Sequence, residues 1–99
     1  MNIETIEKQL KVSGISELSA LNARELKSEV IKKFDSGIVD IDFDASELSF
    51  IDSSGLGALI SLQKATSMRN GLLRIIRPSE QTQQILELTR LHRVFEIVA

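Results

Sequence analysis

The 99-residue sequence has no cysteine, tryptophan or tyrosine, and it holds a single proline, a single histidine and four phenylalanines. Each scarcity removes a class of chemistry. Without cysteine there is no disulfide framework and no thiolate nucleophile, a composition that fits a reducing compartment. Four phenylalanines as the whole aromatic complement leave no stacking platform of the kind that holds single-stranded nucleic acid. Twelve basic against fourteen acidic residues give a net charge of -2, too little of either sign to draw in nucleic acid or an anionic membrane by field alone. No apolar run approaches the roughly 18 residues needed to cross a bilayer, and Met1-Asn2-Ile3-Glu4 lacks the basic start of a secretory signal. The expectation is a cytoplasmic protein with no nucleic-acid partner and no direct membrane insertion. Its length fits one domain over residues 1–99, so one fold has to carry the function.

What is present is regular alternation. Ile3 to Ile6 and Gln9 to Val12 read as short strands, the second setting Leu10 and Val12 against Gln9, Lys11 and Ser13. Ser19 is the expected N-cap of a helix in which Ala23, Leu26, Val30 and Phe34 share a face, with Gly37 as its stop. In Ile38 to Phe43, Val39, Ile41 and Phe43 point one way and Asp40 and Asp42 the other. A calcium loop starting at Asp40 is excluded, because its sixth and twelfth positions need glycine and glutamate and hold Ala45 and Ile51.

A second helix is expected from near Ser54 to about Arg69, stopped by Asn70-Gly71, and a strand from Leu72 to Arg77 ended by Pro78. Ser79 caps a third helix with Ile85, Leu88 and Thr89 on its inner face and His92 near its C-terminal end, where a cation complements the dipole. Val94 to Val98 is a terminal strand or a docked tail. From Gln9 onward strand and helix alternate, which gives right-handed crossovers and a mixed sheet with a parallel core. The aspartates on a central strand place the helices mainly on one face.

The chemistry concentrates in Asp52-Ser53-Ser54-Gly55-Leu56-Gly57, where a loop ends and an apolar helix begins. The first backbone N–H groups of a helix have no partner within it, and the dipole favours negative charge beside them. A serine there either caps the helix, with Asp52 as a second acceptor, or carries a phosphate. Further along, Ala58, Leu59, Leu62 and Ala65 form a core stripe, and Leu56 and Ile60 add a second apolar side. The small residues Gly55, Gly57 and Ala58 serve either close packing on the sheet or a partner surface in which Leu56 and Ile60 bind beside a modifiable serine.

The run Leu48-Ser49-Phe50-Ile51-Asp52-Ser53-Ser54-Gly55-Leu56-Gly57-Ala58-Leu59-Ile60 resembles the signature of STAS domains, specifically of the bacterial anti-sigma factor antagonists. Leu88-Thr89-Arg90-Leu91 and Val94-Phe95-Glu96-Ile97 are similar to the end of such a domain. Where many members carry Gly-x-Leu-Asp before the first helix, this chain has Gly14-Ile15-Ser16-Glu17. The resemblance implies an α/β fold, a single STAS-type domain, with Ser53 as the phosphorylated residue and Asp52, Ser54 and Gly55 supporting the phosphosite. It further implies a non-enzymatic switch that needs no cofactor. Dephosphorylated, such a protein binds an anti-sigma factor that is itself an ATP-using serine kinase, and frees a sigma factor; phosphorylation separates the pair, and a PP2C-type phosphatase restores it. The resemblance also allows a STAS scaffold, or a subunit of a lipid-transport complex, that phosphorylation does not control.

A serine hydrolase is the competing reading of the same junction. The nucleophile elbow is Gly-x-Ser-x-Gly, but Ile51 stands two residues before Ser53 and Asp52 two before Ser54. No Gly-rich phosphate loop or metal-ligand spacing accompanies it, so the residues favour a binding protein over an enzyme.

Overall fold

The computed structural model describes residues 1–34 and 37–99. In chain order the elements are β1 (Asn2–Ile6), β2 (Gln9–Ser13), β3 (Glu17–Leu18), α1 (Ala23–Phe34), β4 (Asp40–Asp44), β5 (Phe50–Ile51), α2 (Ser53–Ser67), β6 (Leu73–Ile76), α3 (Glu80–Leu88), a 3-10 turn at Leu91–Arg93 and β7 (Glu96–Val98). Five strands form one sheet in the order β1-β2-β4-β6-β7. The β1–β2 hairpin is antiparallel and every other neighbour in this sheet is parallel. This is the mixed sheet with a parallel core that the alternation implies, and the C-terminal segment proves to be a strand paired with β6. Among the described residues no helix is long and apolar enough to cross a membrane.

The two faces of the sheet differ as the aspartates of β4 require. Leu10, Val12, Ile41, Phe43, Leu73 and Ile75 are buried, and they form the core with Leu26, Val30 and Phe34 of α1 and Leu59 and Leu62 of α2. Each fully buried aliphatic side chain stabilises by about 1.5–3 kcal/mol relative to exposure. On the opposite face, register places Glu4, Lys11, Asp42, Arg74 and Glu96 side by side across all five strands. Their signs alternate, so each cross-strand neighbour is an attraction. Asp42 accepts from Arg74 Nε at 2.6 Å and from the Gln9 amide. That carboxylate holds the Arg74 guanidinium above its usual range. Asp44 pairs with Arg77 at 2.9 Å, and Asp40 accepts the Leu72 N–H at 2.9 Å. All three aspartates thus serve the sheet and its connections.

Local differences from the sequence expectation have local causes. Ser19 does not cap α1, which begins four residues later at Ala23. Its carbonyl accepts the N–H groups of Asn22 and Ala23, at 3.1 and 2.8 Å, and its hydroxyl accepts that of Leu21. The Ser19 N–H in turn donates to the Asn22 side-chain oxygen at 2.9 Å, so Ser19 fastens the turn that delivers the chain to the helix. Gly37, at φ 84°, donates its N–H to Phe34 and follows α1 as expected.

In α3 the inner positions are Thr82 and Leu86, whereas Ile85 is half-buried, Thr89 is exposed and Leu88 is 85% exposed. Entry at Ser79 sets the helical phase, and the spacing of four from Thr82 to Leu86 turns Leu88 outward. At the end of α2 the left-handed residue is Asn70 (φ 61°), while Gly71 is needed because any Cβ there would collide with the Val39 carbonyl. The ladder of β3 with β5 has no counterpart in the expectation, since two-residue strands carry no readable period.

Candidate functional site at the start of the second helix

The short parallel ladder is what aims the start of α2. Glu17 registers with Phe50 and Leu18 with Ile51, and the Asp52 N–H then bonds to the Leu18 carbonyl at 3.2 Å. Asp52 leaves this ladder in extended conformation (φ -112°, ψ -174°) and becomes the N-cap of α2. One carboxylate oxygen accepts the Gly55 N–H at 2.9 Å, and the other accepts the Ala20 N–H at 3.2 Å. These N–H groups, Gly55 foremost, hold the Asp52 carboxyl below the usual carboxylate range. One side chain therefore caps the helix and ties it to the turn before α1.

Gly55 makes that arrangement possible. A Cβ at this position would run into the Leu18 carbonyl and would lie 2.9 Å from Ile51 Cγ1, so only glycine lets the first turn of α2 press against β3. Gly57, two residues on, has nothing within 4 Å of where a Cβ would be and faces solvent. Close packing therefore accounts for Gly55 and leaves Gly57 unexplained.

The capping question left open by the sequence resolves in favour of Asp52. Ser53 and Ser54 occupy the first two helical positions, both exposed. Among the described residues neither hydroxyl is engaged in a hydrogen bond, whereas Ser61 donates to Gly57 and Ser49 to Ser16. An unoccupied hydroxyl on a helix N-terminus, in reach of a second protein, is chemically suited to accept and hold a phosphoryl group. The sole histidine, His92, lies in the turn after α3, with Nδ1 3.4 Å from the Leu86 carbonyl oxygen.

Leu56 and Ile60 are half-buried and pack against the core, so each offers only part of its side chain to a partner. Two more exposed apolar groups near the site, Phe50 and Leu21, are ones that helical and strand patterning did not single out. Phe50, on the strand that leads into Asp52, is 52% exposed and lines a cleft of about 340 Å³ with Ile85 and Leu88 of α3. Leu21, beside the Ala20 that binds Asp52, is 87% exposed. Their signal in the sequence is slight, an apolar residue out of phase with a short element.

Comparison with known proteins places this geometry. The STAS domain family model matches residues 1–99. The chain is 28% identical over 101 residues to the anti-sigma-B factor antagonist of Staphylococcus epidermidis, spanning 98% of this chain and 92% of that one. A crystal structure of a Thermotoga maritima protein, provisionally named an anti-sigma factor antagonist, superposes with a TM-score of 0.91 at 25% identity, covering 99% of this chain and 85% of that one. The anti-sigma factor antagonist SpoIIAA shares the fold in its unphosphorylated form, with a TM-score of 0.75 at 17% identity, covering 99% and 86%. Its phosphorylated form gives a TM-score of 0.73 at 18% identity, covering 99% and 90%. Fold, motif and whole-length match agree, and the chain belongs to the STAS domain family, within its group of anti-sigma factor antagonists.

Proposed function

We propose that the protein is a phosphorylation-controlled binding switch that acts on transcription in the cytoplasm. Unmodified, it binds an anti-sigma factor that is also an ATP-using serine kinase, and so releases a sigma factor. Phosphorylated on Ser53 it lets go, and a PP2C-type phosphatase resets it. The chain works by binding and needs no cofactor of its own. The observation that carries this reading is the division of labour at the start of α2: Asp52 caps the helix, which leaves Ser53 an exposed hydroxyl with no structural duty.

The switch is electrostatic. Phosphoserine adds roughly 1.5 to 2 negative charges at neutral pH. At a helix N-terminus these are favourable by about 0.3 to 1 kcal/mol, with the Asp52 carboxylate offsetting part, so the fold stays in place. Both forms of SpoIIAA share this fold, which supports a modification that leaves the architecture intact. At a docked surface that uses the outer parts of Leu56 and Ile60, the same charge has to be desolvated beside an existing carboxylate, at a cost of several kcal/mol. Binding is lost while folding is not.

Incubation with the cognate kinase and ATP tests the assignment. Mass spectrometry is expected to show one added phosphate, on Ser53, and none in Ser53→Ala. A phosphate placed by that kinase on Ser54 instead, with Ser53→Ala still fully modified, contradicts it.

A further inference from the structure

The two serines at the start of α2 are both exposed but have different neighbours. Ser54, with Gly57, Ala58 and Ser61, forms one wall of a groove of about 440 Å³ between α2 and α1, and Arg24 and Lys27 stand on the α1 side. Ser53, one residue earlier and so turned by about 100° around the helix, is not part of that groove.

The groove is built for an anion. Among the described residues Arg24 and Lys27 are the only charged groups that line it, and the Asp52 carboxylate, which accepts the N–H of the lining residue Ala20 at 3.2 Å, is not part of the lining. Among the described residues neither cation is engaged in an ion pair or a side-chain hydrogen bond, whereas Arg74, Arg77 and Lys32 each have a carboxylate partner. Between the cations and the hydroxyls the lining is small, Ala20, Ala23, Gly57 and Ala58, and the space over Gly57 is open. Ser61 already donates to the Gly57 carbonyl at 3.0 Å, so Ser54 is the uncommitted hydroxyl on this wall.

We propose that Ser54 is a second phosphorylation site, whose phosphate is held in the groove by Arg24 and Lys27 and clasps α1 to α2. The proposal deepens the switch reading by assigning the adjacent serine the opposite consequence. A phosphate on Ser53 faces an incoming partner and repels it; one on Ser54 turns inward and tightens the domain. In the transfer, Ser54 Oγ forms the new bond to the γ-phosphorus of ATP bound to a serine kinase. The bond from that phosphorus to the β–γ bridging oxygen breaks, ADP leaves with the electron pair, and the hydroxyl proton passes to the kinase's base. Charge-assisted hydrogen bonds from a guanidinium and an ammonium then neutralise the dianion. Both serines share the α2 dipole, but Ser53 directly follows the Asp52 carboxylate, so the effect of the two cations is read from the part of the difference that depends on Arg24 and Lys27.

The test uses the full chain with phosphoserine incorporated at position 53 or at position 54, and follows each phosphate's second ionisation by phosphorus NMR. The phosphate at 54 is expected to ionise lower than that at 53 by about half a pH unit or more, and its protein to melt a few degrees higher. Both differences are expected to disappear in Arg24→Gln/Lys27→Gln, a change of exposed or half-buried side chains whose folding is checked in the unmodified protein. Equal ionisation at the two sites, or a difference indifferent to that double substitution, overturns the groove. Phosphopeptide mapping of the chain purified from its own host in growth and in stress supplies the other half: phosphate on Ser54 is expected, and its absence in both states overturns the site. Phosphate found on Ser54 but never on Ser53 would support this inference while removing the switch proposed above.

Discussion

Two helices of this protein begin on a serine-bearing turn and satisfy their free N–H groups in different ways. At α3, Ser79 is the N-cap; its hydroxyl accepts the Thr82 N–H at 3.2 Å and donates to Thr82 Oγ1 at 3.1 Å. At α2, Asp52 is the N-cap, and its two oxygens take N–H groups from two separate segments, Gly55 within the helix and Ala20 before α1. A single hydroxyl has no comparable reach to a second segment. The consequence falls on the neighbouring serines. Ser79 is consumed by structure, whereas Ser53 and Ser54 are not. The two first turns also differ in charge, since α3 carries Glu80 there and α2 has no acidic residue. The positive end of the α2 dipole therefore has only the cap opposite it, and a second anion can still be favourable.

Substitutions at these two helix starts break or sharpen the contrast, and the largest effect is expected at Gly55. Gly55→Ala forces a Cβ into the Leu18 carbonyl and is expected to cost about 1–3 kcal/mol, lowering the melting temperature by at least roughly 4 °C. Gly57→Ala meets nothing and is expected to stabilise by about 0.5–1 kcal/mol, because alanine is the better helix former. Thermal unfolding of the pair, followed by circular dichroism, checks the opposite signs.

Asp52→Ala removes a cap and a cross-link and is expected to cost about 0.5–2 kcal/mol in a denaturant titration, with Asp52→Asn, whose single oxygen can accept from Gly55 but whose NH2 cannot accept from Ala20, recovering the cap and not the cross-link. Ser79→Ala is expected to cost about 1 kcal/mol, against less than about 0.5 kcal/mol for Ser53→Ala. Equal losses at the two serines would mean that Ser53 has a structural duty after all. The smallest effect is the pH dependence. Asp52 and Asp44 both ionise below the ordinary value of 3.8, held there first by the N–H groups of Gly55 and Ser46 respectively. A lowered carboxyl adds stability that is complete above its unfolded pKa and is lost as pH falls through the lower folded one. The melting temperature is therefore expected to drop as acid is added below about pH 4, and Asp52→Asn to flatten part of that fall.

Much of the framework is legible in the chain because long elements repeat their pattern. Ala23, Leu26, Val30 and Phe34 are all buried in α1, and Ile41 and Phe43 alternate with the aspartates of β4 as expected. Ser79 is recognisable as a cap because it alone among the residues at that turn has the right side chain just before the helix. The start of α2 is not decidable in the same way, since Asp52, Ser53 and Ser54 are all capping residues in a row. The choice is made by contacts distant in sequence, the Leu18 carbonyl fixing the Asp52 N–H and Ala20 occupying its second oxygen. Leu88 is misleading for a related reason. An apolar residue at a helix-face spacing suggests a core position, and only the helix entry angle shows that it points outward.

Since Asp52 rather than Ser53 holds the start of α2, modification of Ser53 should separate binding from folding. The most direct measurement is the affinity of the cognate anti-sigma factor kinase for the chain with and without phosphate on Ser53, by calorimetric titration, with the melting temperature taken on the same two samples. The expected result is an affinity lower by at least about a hundredfold, equivalent to about 2.7 kcal/mol, at a melting temperature that is nearly unchanged. An unchanged affinity, or a loss of affinity accompanied by a melting temperature lower by many degrees, would contradict a switch that acts at the surface of an intact fold.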